Sequence, residues 1–324
     1  MVISIPIVRQ MFKITLGLLS GAVFTVIVGS LDTSGYLVEQ LSIGFVEVPF
    51  IVFCAVVKRK FGWKNVLLYV FLGTFVSILL SLSEKSITPA VFLKASLMGM
   101  MLGETTWFEH SFIQRLSLVS CPGVIFACVF GLPLVINGVP PEVMDRIRQD
   151  AIDMYQTFMS NDEAINAADN AMHMFRGFFT VGFAVFVISS LIFAWLSFLG
   201  ARWVMVKFRE EPEYVAPLQS FKLPFHAIWL FLGSFGMIIT GYKPVFPLAL
   251  NVFVIMAFLY LIQGIAIIMY QMNIFSMGRF PRVIFWLLFF VTLSFTGIFL
   301  ILAGIIDNWF NLRSLSLNQD AHSE

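Results

Sequence analysis

The residues able to do chemistry in this chain are few, and most of them sit in apolar surroundings. Glu47 lies in the run IGFVEVPF, eight residues after Glu39, so both acids fall on one side of a helix about two turns apart. Pro49 follows and weakens the local hydrogen-bond ladder. A charged side chain at the centre of a bilayer costs roughly 2.5–3.5 kcal/mol on insertion scales, so Glu47 needs a reason to be there. One reading has it line a polar cavity and take a cation or a ligand amine. The other has it pair with a lysine such as Lys94 and steady a helix bundle. Glu39 is close enough to a helix end to be a solvated cap residue.

A second polar group follows the run that starts at Phe246. Asn251, Tyr260, Gln263 and Gln271 lie on it, and Tyr260, Gln263 and Tyr270 share a helical face. They read as a stripe that hydrogen-bonds a polar ligand, or as interhelical bonds worth about 0.6 kcal/mol each. Asp307, Trp309, Phe310 and Arg313 close the last apolar run. Trp309 has the place of an interfacial anchor, and Asp307 with Arg313 either pair around the helix terminus or meet water. Glu104, Glu109, His110 and Arg115 cluster after the fourth run, but His173, His226 and His322 are scattered. A solvated loop is the expectation there, with no metal. Cys54, Cys121 and Cys128 all lie in apolar runs and read as buried, inert thiols. GxSxG, HExxH, CxxC and a phosphate-cradling GxxxxGK loop are missing. No catalytic residue and no cofactor is nominated, and any ATP hydrolysis must come from a partner.

The elements that position these residues follow from composition. Hydrophobic residues make up 59% of the 324, and only 12% are charged. That is about half the charge a soluble domain needs to cover its surface. Mean hydropathy is +0.90. A net charge of +1 offers no field for nucleic acid, and lipid is the implied partner. The expected fold is all-α: a polytopic transmembrane helical bundle of about eight to nine spans with one external amphipathic helical insertion. The apolar runs are Ile14–Val28, Leu37–Val57, Val66–Leu82, Ala90–Leu102 and Leu116–Ile136, then Gly177–Val204, His226–Thr240, Phe246–Tyr270 and Val283–Ile306. The first follows Arg9 and Lys13 and reads as an uncleaved helix rather than a secretory signal. Gly17 with Gly21, and Gly99 with Gly103, have the small-xxx-small spacing that lets helices approach closely. Pro122 and Pro133 should kink the fifth run.

Residues 137–176 stand apart, with three Arg against seven Asp and Glu. Pro140 and Pro141 suit a helix start. Met144, Ile147, Ala151, Met154, Tyr155 and Phe158 then recur at helical spacing opposite a polar face. Ser160–Glu163 supplies a break and a new cap, so a second short helix should follow. The chain thus divides into an N-terminal bundle (1–136), the insertion (137–176), a C-terminal bundle (177–313) and a disordered tail (314–324). The strongest basic connections follow the second, sixth and eighth runs, which places the N-terminus inside and the acidic insertion outside.

The closing residues carry a resemblance. LNVFVIMAFLYLIQGIAIIMY with AGIIDNWFNLR resembles the terminal signature of the YybS-like family of bacterial multi-pass membrane proteins. The matching positions are Asn251, Gln263, Gly264, Gly304, Asp307, Trp309, Phe310 and Arg313. The basic turn KRKFGWKN, centred on Gly62, and the segment GMMLGE resemble that family too. The family in turn is similar to the vitamin-binding membrane subunits of energy-coupling-factor transporters, with the rod-shape protein MreD placed nearby. The resemblance implies the bacterial cytoplasmic membrane, an ATPase and a coupling subunit in trans, and docking through Gly17 and Gly21. This chain departs from those subunits in its greater number of predicted spans and its acidic insertion.

Two functions are therefore expected. The first is a small-molecule substrate-binding or transport component, with Glu47, Asn251, Tyr260 and Gln263 facing the ligand. The alternative is a non-transporting membrane scaffold for envelope or cell-shape assembly.

Overall fold

A computed structural model describes residues 47–56, 62–80, 88–105, 112–207 and 218–313. Gly17, Gly21, Glu39, Glu109, His110 and the tail lie outside the described residues. The apolar runs within them fold as helices, as a chain in lipid must if its backbone groups are to be satisfied internally. No strand occurs among the described residues. In chain order the helices are α1 (Glu47–Val56), α2 (Trp63–Leu80), α3 (Thr88–Thr105) and α4 (Phe112–Phe126). A π-helical turn, Ala127–Gly131, leads into α5 (Leu132–Asn137). Then come α6 (Pro141–Gln156), α7 (Asn161–Thr180), α8 (Gly182–Lys207), α9 (Ala227–Thr240), α10 (Phe246–Ile274), α11 (Arg279–Val291) and α12 (Leu293–Phe310).

Among the described residues, three stretches are long and apolar enough to cross a membrane: Ile113–Asn137, Gly182–Val204 and Phe246–Ile274. Glu47–Val56, Leu67–Leu79, Ala227–Thr240 and Phe295–Phe310 are shorter apolar helices. The described helices group into two units, one from Met1–Phe126 with Ser189–Val215, the other from Ala127–Ile188 with Ala216–Glu324.

In the first unit, α1 and α3 meet where Gly99 has no side chain. A Cβ there would fall 2.6 Å from the Ile51 carbonyl oxygen, so only glycine allows the contact. Gly103 is buried one turn further on. Phe50 and Phe92 meet as tilted rings, centroids 4.9 Å apart, across the same pair of helices.

In the second unit, α10 packs antiparallel to α12. A Cβ on Gly264 would run into the Leu300 carbonyl, and one on Gly304 into the Tyr260 carbonyl. Two bare backbone patches one turn apart thus set the closest approach of the longest helix and the last one.

The acidic insertion folds as the expected hairpin of α6 and α7. Pro141 occupies the first turn of α6. Ser160 and Glu163 form a capping box, with Ser160 Oγ donating to the Glu163 carboxylate at 2.8 Å. Arg148 bridges to Asp169 at 2.7 Å and ties the two helices together.

Several expectations need correction. The last apolar run is not one helix. It breaks at Thr292 into α11 and α12, and the Thr292 hydroxyl donates to the Leu288 carbonyl at 2.8 Å. The start expected at Gly177 belongs to α7, which continues to Thr180 before a break at Val181. In the hairpin Ile152, not Met154 or Phe158, is the buried residue of α6, because α7 covers the side of α6 centred there. Cys54 is buried as expected, but Cys121 and Cys128 lie on the exposed side of their helix. Arg115 is buried at 7% exposure rather than solvated. Before Pro133, which lacks an N–H, the helix widens into the π turn instead of simply kinking.

Candidate functional site

The polar residues of α10 and α12 converge because the two glycines bring their helices together. One turn past the Gly304 contact, the Asp307 side chain enters the interface and is 0% exposed. Its Oδ2 accepts from Gln263 Nε2 at 3.0 Å and from Arg313 Nη2 at 3.0 Å. Its Oδ1 is buried and has no hydrogen-bond partner. Gln263, also 0% exposed, donates to Asn308 Oδ1 at 3.2 Å and accepts the Leu223 N–H at 3.0 Å. Asn308 Nδ2 then donates to the Tyr260 hydroxyl at 3.1 Å. Tyr260 is held edge-on by the Phe231 ring, 5.6 Å away.

Arg313 reaches further. Its Nη1 donates to the Gln219 carbonyl at 2.6 Å and its Nη2 to the Phe221 carbonyl at 2.7 Å. Lys222 Nζ donates to Asn311 Oδ1 at 3.1 Å. Residues 219–223 have backbone groups that no helix satisfies, and Phe221 and Leu223 are buried. The cluster supplies their missing partners, since a buried unpaired backbone group costs about as much as a lost hydrogen bond. Asp307 pairs with the guanidinium, and together these contacts cross-link α10, α12 and the segment leading into α9 in one polar knot.

Asn251 lies elsewhere on α10. Nine residues before Tyr260, roughly 13 Å along the axis, it accepts the Ala184 N–H at 2.7 Å and donates to the Thr180 and Pro247 carbonyls, each at 2.7 Å. It bridges the break between α7 and α8, where helix ends leave unsatisfied groups. Asn251 therefore does not share a site with Tyr260 and Gln263.

Glu47 belongs to the first unit. Its Oε1 pairs with Lys94 Nζ at 2.8 Å, with the two side chains 2% and 8% exposed. Lys94 also lies 4.9 Å from the Phe126 ring centroid and 5.9 Å from that of Phe193. The cation is thus held by a carboxylate and two aromatic faces. The pairing of Glu47 with Lys94 is seen, and Glu47 Oε2 is buried without a hydrogen-bond partner.

Trp309 and Phe310 are 52% and 65% exposed and flank the knot without entering it. Trp309 meets Phe225 edge-on at 6.5 Å. Sequence reasoning missed Asn308, whose signal was its place four residues after Gly304, on the same helical face. It also missed the 219–223 backbone, about forty residues from its partner Gln263, where no side-chain pattern marks it. Among the described residues no group of three or more His, Cys, Asp or Glu stands together for a metal ion.

Comparison with curated proteins finds no match, and comparison with solved structures finds none either. Residues 42–308 match a family of predicted membrane proteins and include Glu47, Lys94, Gln263, Asp307 and the two glycines of the helix crossing. The chain belongs to this family, the predicted membrane proteins DUF2232.

Proposed function

We propose that this chain is a non-catalytic integral membrane component that binds a small polar or cationic solute between its helices. The supporting observation is the Asp307 carboxylate, fully buried with one oxygen shared by Gln263 and Arg313 and the other unpartnered. Native interiors rarely leave a buried acceptor unused without a reason, and ionisable groups in membrane segments mark ligand or ion paths by default. A ligand amine or a cation would meet Oδ1, with Gln263, Asn308 and Tyr260 as its neighbours. The resemblance to energy-coupling-factor subunits points the same way. On that reading an ATPase and a coupling subunit act in trans, and Gly17 and Gly21 are the docking residues. The chain would make eight or nine crossings of a bacterial cytoplasmic membrane.

The test is a mild-detergent pull-down from native membranes, with proteins and bound small molecules read by mass spectrometry for the wild type and Asp307→Asn. A metabolite enriched on the wild type and lost from a folded Asp307→Asn is the expected result. Equal enrichment on both, or none on either, sinks the reading.

One observation favours the scaffold alternative. At the turn of the α6–α7 hairpin Met154, Phe158 and Met159 are 54%, 82% and 47% exposed, beside acidic side chains. Such a tip suits a protein partner with a basic rim. Deleting residues 140–175 should then remove envelope-synthesis or cytoskeletal proteins from the same pull-down, and an unchanged set of partners would rule it out.

A further inference from the structure

The break at Thr292 gives α11 a separate identity. It has 13 residues, about 20 Å at 1.5 Å per residue, against a hydrocarbon core of about 30 Å. Its position follows from the register of its neighbours. Gly264 against Leu300 and Gly304 against Tyr260 fix the antiparallel pairing of α10 and α12. The same register carried on puts Leu293 level with Gln271, in the last turn of α10. At the other end of α11 the chain turns tightly. Ser276 is left-handed at φ 46°, and the Met277 N–H returns to the Met272 carbonyl at 3.0 Å. Arg282 Nη2 donates to the Met277 carbonyl at 3.1 Å. Both ends of α11 are therefore held near the C-terminal end of α10. A helix so tied runs across the α10 axis rather than along it.

Its surface is one-sided. Phe280, Val283, Ile284, Leu287, Leu288 and Val291 follow helical spacing and are 41–83% exposed. Phe289 turns inward at 5%, with Phe285 and Trp286 half-buried against it. The only charges are Arg279 and Arg282, both in the first turn. Arg282 Nε is buried with no hydrogen-bond partner.

We infer that α11 is an in-plane membrane helix, its apolar stripe laid into the acyl chains of the cytoplasmic leaflet and Arg279 and Arg282 bound to anionic lipid headgroups. Two features select lipid as the occupant. The stripe is too short to cross, and its two cations stand at one end where headgroup phosphates complement them. The basic turn assigns the leaflet. What the sequence presents as one span is then an interfacial helix followed by a crossing helix, α12.

Depth separates an in-plane helix from a spanning one. Spin labels would be placed one at a time at positions 280, 284, 287 and 291 of the full chain, with Cys54, Cys121 and Cys128 replaced by alanine. The protein would be held in nanodiscs of phosphatidylcholine with or without phosphatidylglycerol, and labels read by oxygen against nickel-chelate accessibility. The four labels should lie at one depth in lipid. A steady change of about 16 Å from 280 to 291 overturns the proposal, as does shielding from both reagents, which would mean that a second copy covers the stripe. Native mass spectrometry of the unlabelled chain gives an independent reading that needs no cysteine replacement. The wild type should retain phosphatidylglycerol over phosphatidylcholine several-fold, and Arg279→Gln with Arg282→Gln should bring that preference close to one. An unchanged preference in the double variant removes the headgroup contact.

Discussion

Gln263 donates to Asp307 across 3.0 Å between α10 and α12, and the same amide accepts the Leu223 N–H. One side chain therefore joins three segments. Gln263→Leu keeps the volume but strips both functions, leaving the Leu223 N–H and Asn308 Oδ1 without their Gln263 partner and Asp307 Oδ2 with Arg313 alone. Each buried unsatisfied group costs about 1–3 kcal/mol. The expected outcome is a clear fall in thermal midpoint in detergent, with faster backbone exchange across 218–226. Gln263→Glu places like charge against Asp307 and should be worse than leucine at neutral pH. A midpoint within experimental scatter of the wild type for the leucine variant would refute the cross-linking role.

The glycine crossing sets the distance that the polar knot needs. Gly304→Ala puts a methyl group into the Tyr260 carbonyl, and Gly264→Ala puts one into that of Leu300. The obstacle is backbone, which no rotamer change can move aside. Each substitution should cost about 1–3 kcal/mol as overpacking does. Because both act on one contact, the double variant should lose less than the sum of the two. Thermal unfolding of the three variants checks this, and strict additivity would mean that the two glycines act separately.

Glu47 and Lys94 make a second buried pair, and its variants should behave asymmetrically. Removing one charge strands the other, at roughly 3–5 kcal/mol. Replacing both by apolar residues of similar size is often neutral. Glu47→Gln should therefore destabilise more than Glu47→Leu combined with Lys94→Met. If the double variant proves the least stable of the set, the pair contributes more than mutual neutralisation.

How far these features were readable differs by residue. The Glu47–Lys94 pair and the Asp307–Arg313 pair each stood among the readings open from sequence, because an acid in an apolar run demands a cation. Gly264 and Gly304 were visible as signature residues, but not that they touch each other's helices, since spacing within one helix says nothing of what lies opposite. The break at Thr292 coincides with the only polar residues of the run from Val283 to Ile306, Thr292, Ser294 and Thr296, which overall hydropathy reads through. It comes from a local bond to Leu288 and from the course of the chain around α10. The roles of Gln263 and Arg313 in satisfying the 219–223 backbone depend on contacts 40 to 94 residues apart, which periodicity cannot report. In the hairpin, by contrast, Pro141, Ser160 and Glu163 act within their own turns, and local chemistry there was enough.

The hairpin also carries a pH dependence whose sign is determined. Hydrogen bonds from the Ser160 side chain, then from its backbone, hold the Glu163 carboxyl below its ordinary value. The Arg148 hydrogen bond, reinforced by its charge, does the same for Asp169. A carboxyl whose folded pKa is depressed contributes stability that is fully present above its unfolded value and is lost as pH falls through the folded one. Unfolded Glu and Asp titrate near pH 4.3 and about 3.9, so the loss should begin at about pH 5 and deepen below pH 4. Both groups are solvent-exposed, so the change should be gradual and weakened by salt. Hydrogen exchange over residues 141–180 of the full chain should quicken between pH 6 and pH 3.5, after correction for intrinsic rates, while α10 and α12 keep their protection. Asp169→Asn removes one of the two groups and should flatten the profile. A profile identical to that of the wild type would show that the Arg148 bridge adds nothing to the hairpin.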